Sequence, residues 1–285
     1  MSFVTEFNGK LPFAVSVSGR KRDALFRILD PLLSGTAHED RIATAIGPID
    51  VDGRHPPERF LSYAFFNILK YYQRSDLGRY MALREGAGRT FVDIGANLGL
   101  YSYIARSRGY VTYLVEPEPV HAAFLTRNSA TLGRVISVAL SDKPGSLPLY
   151  YQEANSGATS LVPAKGYKPG AGVVSVRTFS SLAAEGAFGD SRLIDFIKID
   201  VEGAEASTVA GMREFLEAGN RPAIWCEVRG DSSGRAPGSY REVMTILEEY
   251  GYRTLEFVSA EMHEARLSTL SNRTVFDLLF EARTP

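Results

Sequence analysis

A single cysteine, Cys226, rules out an intrachain disulfide, so no cystine framework holds this 285-residue chain together. It lies in the apolar run Ile224 to Val228, where a small core residue is expected rather than a nucleophile. Surplus charge of one sign is missing as well. Against 33 Asp and Glu stand 32 Lys and Arg, a formal net charge of −1, without the basic excess of a general nucleic-acid binder; no nucleic-acid partner is expected. No stretch nears the ~20 apolar residues that a membrane span needs. The N-terminus shows no basic region ahead of a long apolar run, so a chain without a membrane span, in a cytoplasmic, reduced setting, is the expectation. Four histidines occur, His38, His55, His121 and His263, but no HxxxH or CxxC spacing. No metal site is therefore expected from motifs, although scattered carboxylates could still hold Mg²⁺. Neither GxGxxG nor GxxxxGK[ST] is present, which counts against a pyrophosphate cradle and a nicotinamide-dependent dehydrogenase. An Asn/Asp-Pro-Pro-Tyr/Phe tetrapeptide, the mark of nitrogen or RNA methylation, is absent too. There is no internal repeat and no low-complexity segment.

What the chain does have is 45% hydrophobic residues, enough for a substantial core, and a run of strand-turn-helix patterns. The most informative is Thr90 to Gly99, TFVDIGANLG. A β-type run ends on Asp93, a turn carries Gly95 and Gly99, and Leu100 to Ala105 reads as a helix. An open α/β sheet builds its ligand cleft in this way, beyond the carboxyl ends of its strands. Glycine permits positive φ and close approach, and Asn97 tolerates a left-handed backbone. A second strand, Val111 to Val115, ends on Glu116, placed to accept hydrogen bonds from ribose hydroxyls. Asp93 would repel a phosphate but suits a ligand that carries an ammonium and a sulfonium, and S-adenosylmethionine is such a ligand.

Val135 to Leu140 reads as a third strand running into Ser141-Asp142. Asp142 either accepts from an adenine amino group or merely opens the turn Asp-Lys-Pro-Gly. Further on, Leu193 to Glu205 reads as a buried strand entering a helix, with Asp200 at the strand's carboxyl tip. Glu202 and Glu205 stand where a helix N-terminus favours acids through its dipole. Lys198, inside the apolar strand, calls for an acidic partner, because a lone buried ammonium is costly.

With these motifs together, the chain resembles the FkbM family of S-adenosylmethionine-dependent methyltransferases. The resemblance is carried by FVDIGANLGLYS (Phe91 to Ser102), VEPEP (Val115 to Pro119), VALSD (Val138 to Asp142), FIKIDVEGAE (Phe196 to Glu205) and IWCEV (Ile224 to Val228). It implies a class I methyltransferase, Rossmann-like α/β fold: a seven-stranded, mostly parallel sheet with helices on both faces. It also implies methyl transfer to oxygen, on a hydroxyl of a sugar or polyketide type of small molecule or glycan. At the methionine end of the cofactor it implies Asp93, Gly95, Ala96, Asn97, Gly99 and Ser102. Glu116 and Pro117 would serve the ribose, Ser141 and Asp142 the adenine, and Asp200 would face the sulfonium region. Asp200 and Glu202 are the expected catalytic acids, as base or acceptor-orienting groups; Glu227 is a third acid at a strand tip facing the cleft. One departure is Thr178-Phe179-Ser180-Ser181-Leu182, which lacks the carboxylate such proteins often carry there. Methylation of nitrogen or of RNA, and a catalytically silent cofactor-binding protein, remain as alternatives.

The methyltransferase domain is expected at 89–285, behind a mainly helical extension at 1–88 that caps the acceptor or makes an oligomer contact. Asp23 to Leu33, Pro57 to Tyr72 and Asp76 to Arg84 read as its helices, the second apolar nearly all round and so packed on the sheet or on a second copy in a homodimer. An insertion at 145–177 joins a strand at Leu147 to Tyr151 through a glycine-rich stretch to another at Val173 to Arg177. It reads either as a mobile lid over an acceptor hydroxyl or as a solvent-facing hairpin. His121 is read as structural, and His55 as able to reach the cleft. Pro222 to Val228, Tyr252 to Val258 and Thr274 to Glu281 complete the strands, one of them antiparallel at the end of the sheet; Ser239 to Tyr250 is a helix.

Overall fold

In the computed structural model the described residues are 39–152, 155–258 and 261–283. The helix expected at 23–33, and His38, lie outside them. The described part opens on an antiparallel hairpin, β1 (Glu39–Ile42) and β2 (Ile49–Asp52), which the sequence pattern did not reveal. Then come α1 (Pro56–Arg74) and α2 (Asp76–Ala82), each begun by a recognisable signal: proline in the first turn of α1, and the Ser75 hydroxyl accepting from Gly78 N–H at α2. Leu61, Phe65 and Leu69 form the buried stripe of α1, whereas Phe66 and Tyr71 face solvent. These three recur at i, i+4 on the side turned to the sheet, as the first of the two expected packings requires.

The central elements follow in α/β alternation: β3 (Thr90–Ile94), α3 (Leu100–Ser107), β4 (Val111–Val115), α4 (Pro119–Arg127), α5 (Ser129–Leu132) and β5 (Arg134–Ile136). Next are the short β6 (Ala139–Leu140), then β7 (Gly145–Gln152), β8 (Asn155–Ser160) and β9 (Tyr167–Arg177). The chain returns through α6 (Phe179–Ala184) and a 3₁₀ turn, Ser191–Leu193, to β10 (Ile194–Ile199). After α7 (Glu205–Ala210) and α8 (Arg213–Glu217) come β11 (Ala223–Arg229) and α9 (Tyr240–Glu249). The last elements are β12 (Tyr252–Val258), β13 (Glu261–Glu264), α10 (Leu267–Leu270) and β14 (Val275–Ala282).

The large sheet has eight strands in the order β13-β12-β14-β11-β10-β3-β4-β5, parallel from β11 to β5. Strand order reverses between β3 and β10, so the switch-point crevice lies beyond their carboxyl ends. All of β3 is buried, as a parallel strand covered on both faces must be. Phe91, Phe196, Trp225 and Leu279 pack on one face with α1, α2 and α3. Val92, Ile197, Cys226 and Leu278 pack on the other with α6 to α9.

Three expectations change. The sheet has eight strands, not seven, because β13 adds an edge strand whose residues are all exposed and carry no apolar alternation to read. The antiparallel β14 is inserted between β11 and β12 rather than at the end. The third strand, expected over 135–140, breaks at Ser137-Val138: β5 stays in the large sheet, and β6 leaves to pair with β9 in a separate sheet ordered β6-β9-β7-β8. The insertion is thus a built sheet. Of its glycine-rich stretch, Lys165 to Gly172, the part from Tyr167 onward lies inside β9. A Cβ at Gly170 would come within 2.6 Å of the Tyr151 ring, so the missing side chain is what lets that ring lie on the strand.

Candidate active site

The glycine turn follows from β3 directly. Gly95 takes φ 76°, Asn97 φ 51° and Gly99 φ 71°, where it caps α3. Gly95 and Ala96 N–H both donate to Val115 O, and Asn97 N–H donates to Glu116 Oε2 at 2.8 Å. Glu116 Oε1 accepts from Glu118 N–H at 2.9 Å, so one buried carboxyl ties the turn to the end of β4. Burial pushes that carboxyl up to about 7 against the pull of these backbone donors. Pro117 is half-buried beside it. A Cβ on Gly95 would lie 1.8 Å from Asp200 O. Gly95→Ala therefore meets both a clash and a disfavoured φ, and we expect a loss of about 1–3 kcal/mol in urea unfolding, with weakened cofactor binding.

Asp93 is wholly buried. Ser102 Oγ donates to its Oδ2 at 2.7 Å, and Lys198 Nζ faces Oδ1 at 3.3 Å, an oxygen that makes no hydrogen bond. The Lys198 ammonium also donates to Gly95 O at 2.9 Å and lies 3.4 Å from Asp200 Oδ2. Burial alone would lower its pKa, but Asp93 and Asp200 outweigh it and hold the ammonium above its ordinary value. The acidic partner expected for Lys198 is thus present twice. These contacts clamp the turn after β3 to the tip of β10.

A second cluster sits at the tips of β10 and β11. The Arg229 guanidinium donates to Glu202 Oε2 at 2.8 Å and to Glu227 Oε1 at 2.9 Å, and Arg235 reaches Glu202 Oε2 at 3.2 Å. Glu202 has φ 57°, a left-handed backbone held at its carbonyl, to which Ser160 Oγ of β8 and Arg235 both donate. Arg235 stacks on Tyr167 of β9, 4.0 Å from the ring centroid. At the Glu116 end of the crevice, burial and the charges of Glu118 and Glu116 raise the Tyr151 phenol. The small sheet therefore reaches both ends of the crevice.

The electrostatic balance here is negative. Burial raises Glu202 and lifts Glu227 well above the carboxylate range, with the Asp200 charge adding in both cases. Asp277, an exposed residue, faces Glu227 across the β11–β14 ladder, and crowding by the protein around its carboxyl, with the Asp200 charge, pushes it up to about 6. Carboxylate oxygens of Asp200, Glu202 and Glu227 lie within 4.8 Å of one another, near enough to share a divalent cation, although Arg229 already serves two of them. Such an excess of carboxylate suits a ligand with sulfonium and ammonium charges, and the missing Cβ atoms at Gly95 and Gly99 let the left-handed turn close against Asp200 O and Leu125. On these grounds S-adenosylmethionine fits the crevice.

The remaining expected residues divide. Ser141 and Asp142 follow β6 of the small sheet, bonded to each other at 3.1 Å, with Asp142 exposed. Among the described residues no hydrogen bond or ion pair joins them to the glycine turn. Glu205 is fully buried at the start of α7 and accepts from Gly203 N–H at 2.8 Å, so it holds the turn that precedes the helix. His121 is buried on α4 against Glu118, and His55 pairs with Asp52 at 3.8 Å. Sequence reasoning missed Arg229, Arg235 and Tyr167. Arg229 did leave a signal: a cation two residues after Glu227 on the same face of a buried strand.

Glu205 carries a prediction of its own. Burial holds its carboxyl up to about 7, whereas an unfolded glutamate titrates near ~4.3. The folded chain keeps the proton longer, so stability is full below the lower value and is lost as pH rises towards the upper one. Glu205→Gln keeps an acceptor for Gly203 and removes that loss. We expect a gain on the order of 1–3 kcal/mol at about pH 8 and little change at about pH 4, read from urea unfolding at each pH.

The family model described as the methyltransferase FkbM domain matches residues 93–254, more than half of the chain. The chain belongs to the FkbM methyltransferase family. This FkbM-family protein has a class I methyltransferase fold, and its cofactor is S-adenosylmethionine. No curated protein sequence matches it. Among solved structures it is similar to the magnesium protoporphyrin IX methyltransferase ChlM of Synechocystis PCC 6803 with bound SAM, at 8% identity and TM-score 0.41, over 90% of this chain and 97% of that one. It is also similar to the N-methyltransferase NodS of Bradyrhizobium japonicum WM9, at 12% identity and TM-score 0.41, over 76% and 98%. A third is the precorrin-6y C5,15-methyltransferase of Geobacter metallireducens GS-15, at 12% identity and TM-score 0.39, over 73% and 85%. Likenesses this distant carry no weight for the acceptor of the FkbM-family chain. No helix among its described residues is long and apolar enough to cross a membrane.

Proposed function

We propose that the chain methylates a hydroxyl of a small molecule or glycan. The observation that supports this best is the meeting of Asp200, Glu202 and Glu227 at the tips of β10 and β11, beside the glycine turn. An alcohol must lose a proton as it is methylated, and a placed base adds ~10²–10⁴-fold. Bound in the crevice, S-adenosylmethionine supplies an electrophilic methyl carbon on its sulfonium.

Gly95, Ala96, Asn97 and Gly99 shape the backbone around the methionine end, with the first-turn N–H groups of α3 taking its carboxylate. Asp93 and Ser102 act from beneath, fixing Lys198 and through it Gly95. Glu116 and Pro117 serve the ribose, and Ser141 and Asp142 the adenine. Asp200, about one-third exposed, faces the acceptor and orients its hydroxyl. Glu202, held by Arg229 and Arg235, fixes the acceptor side of the cleft, and Glu227 takes the proton. The small sheet, through Ser160 and Tyr167, covers that side, and residues 1–88 lie before the cofactor-binding region as an extension to it.

The same surplus of carboxylate also suits an ammonium-bearing acceptor, which gives nitrogen methylation a specific footing. A panel of sugar and polyketide alcohols set beside matched amines, with isotopically labelled methyl donor and the product bond read by NMR, separates the two. A labelled C–O methyl is the expected result; labelled C–N methyls alone would overturn the hydroxyl reading.

A further inference from the structure

A cavity of about 420 Å³ opens at the end of the large sheet opposite the glycine turn, where β3, β10 and β11 begin and β14 finishes. Four arginines from four separate segments line it: Arg84 after α2, Arg89 before β3, Arg192 in the 3₁₀ turn and Arg221 before β11. Two acids share the lining, Asp195 and Glu281, both engaged, and a third, Asp190, pairs with Arg192 from beside it. Asp195 accepts from Arg84 Nη2 at 2.7 Å, from Arg89 Nη1 at 2.8 Å and from the Tyr110 hydroxyl at 2.7 Å. Glu281 accepts from the Tyr80 hydroxyl at 2.9 Å, which in turn accepts from Arg84 Nη1 at 2.7 Å.

One of the four arginines is preorganised. Arg84 spends its donors on Asp195, Tyr110 and Tyr80 and lies against the rings of Tyr80 and Phe196, so it is a fixed floor of positive charge. The other three keep donors in hand. Arg89 bonds through Nη1 alone, Arg192 turns Nε and Nη2 to Asp190, and Arg221 uses only Nη1 on backbone carbonyls. Guanidinium groups with donors to spare, carried on several segments around one cavity, match the oxygens of a multiply charged anion better than those of a single carboxylate. The volume lies in the range of small-molecule sites.

We propose that this cavity is a second ligand site, separate from the methyl-transfer crevice, that binds a small molecule through a diphosphate group. The site is independent of the hydroxyl-acceptor reading. Its occupant clamps the starts of β3 and β10, the two strands whose far ends carry Asp93 and Asp200.

The test is calorimetry of the full chain with inorganic pyrophosphate at constant ionic strength and with saturating S-adenosylhomocysteine, beside an Arg89→Ala/Arg192→Ala variant. Both side chains are mostly exposed, and Arg84 still holds Asp195 in the variant, so its unfolding midpoint should match the parent's. We expect one saturable site in the parent, weakened at least about tenfold in the variant, with cofactor affinity unchanged. Absence of saturable binding up to about 10 mM would overturn the proposal. So would equal affinity in the variant, or loss of binding when S-adenosylhomocysteine fills the crevice.

Discussion

Lys198→Met is expected to lose about 3–5 kcal/mol of stability, a large share of what a domain of ordinary stability has. The reason is what remains behind. Asp93 is wholly buried, and without the ammonium its carboxylate keeps only the Ser102 hydroxyl. Gly95 O loses its side-chain donor at the same time. Much of the measured loss should therefore belong to the stranded charge rather than to the ion pair itself. Two further variants separate these contributions. Asp93→Asn in the Lys198→Met background removes the charge and keeps a group that can accept from Ser102, so it should recover a good part of the stability. Urea unfolding of the parent, both single variants and the double variant gives the coupling between the sites. A coupling near zero would mean that Asp93 and Lys198 do not act as a pair. Cofactor affinity should fall in the single Lys198 variant even under conditions where it stays folded, because the turn after β3 is no longer clamped to β10.

The contrast between Lys198 and Arg229 shows what a sequence discloses. A lysine inside the apolar run Phe196 to Ile199 breaks a local rule, so a buried acidic partner follows from the order of residues alone. The glycine turn was legible for the same reason: Asn97 and Gly95 are residue types that mark positive φ, and they take it. Arg229, the last residue of its strand, gave a weaker signal, and Arg235 gave none. Arg235 lies in a loop and reaches Glu202 only because the chain folds back from β11, a contact between residues 33 apart that no local pattern encodes. The small sheet was hidden for a different reason. Glycine and proline at 166–172 have low strand propensity and read as loop, yet pairing of β9 with β7, and the Tyr151 ring lying on Gly170, override that local preference. The edge strand β13, exposed along its whole length, has no apolar face to betray it. The run of parallel strands with their turns and helices was legible from the family resemblance; the place where Val135 to Leu140 divides between two sheets was not, because both halves are equally β-like.

Removing the proposed base should show first in the pH profile. Glu227 accepts a proton only as a carboxylate, and burial together with the Asp200 charge lifts its pKa well above the usual range. Turnover per acceptor should accordingly rise with pH through an acid limb and level off once Glu227 is ionised. Glu227→Gln should remove the limb and lower kcat by about 10²–10⁴-fold, while cofactor affinity stays near the parent's. Asp200→Asn discriminates between the two acids. It deletes a negative neighbour, so Glu227 should ionise more readily and the limb should move to lower pH. Its kcat should still fall, because the acceptor hydroxyl is no longer oriented, and the fall should exceed any change in acceptor KM. A parent profile flat across the carboxylate range, or a Glu227→Gln variant that keeps its acid limb, would place the proton elsewhere. In that case Asp200 is the next group to test: its carboxylate, about one-third exposed, lies beside Glu202 and Glu227 at the same strand tips.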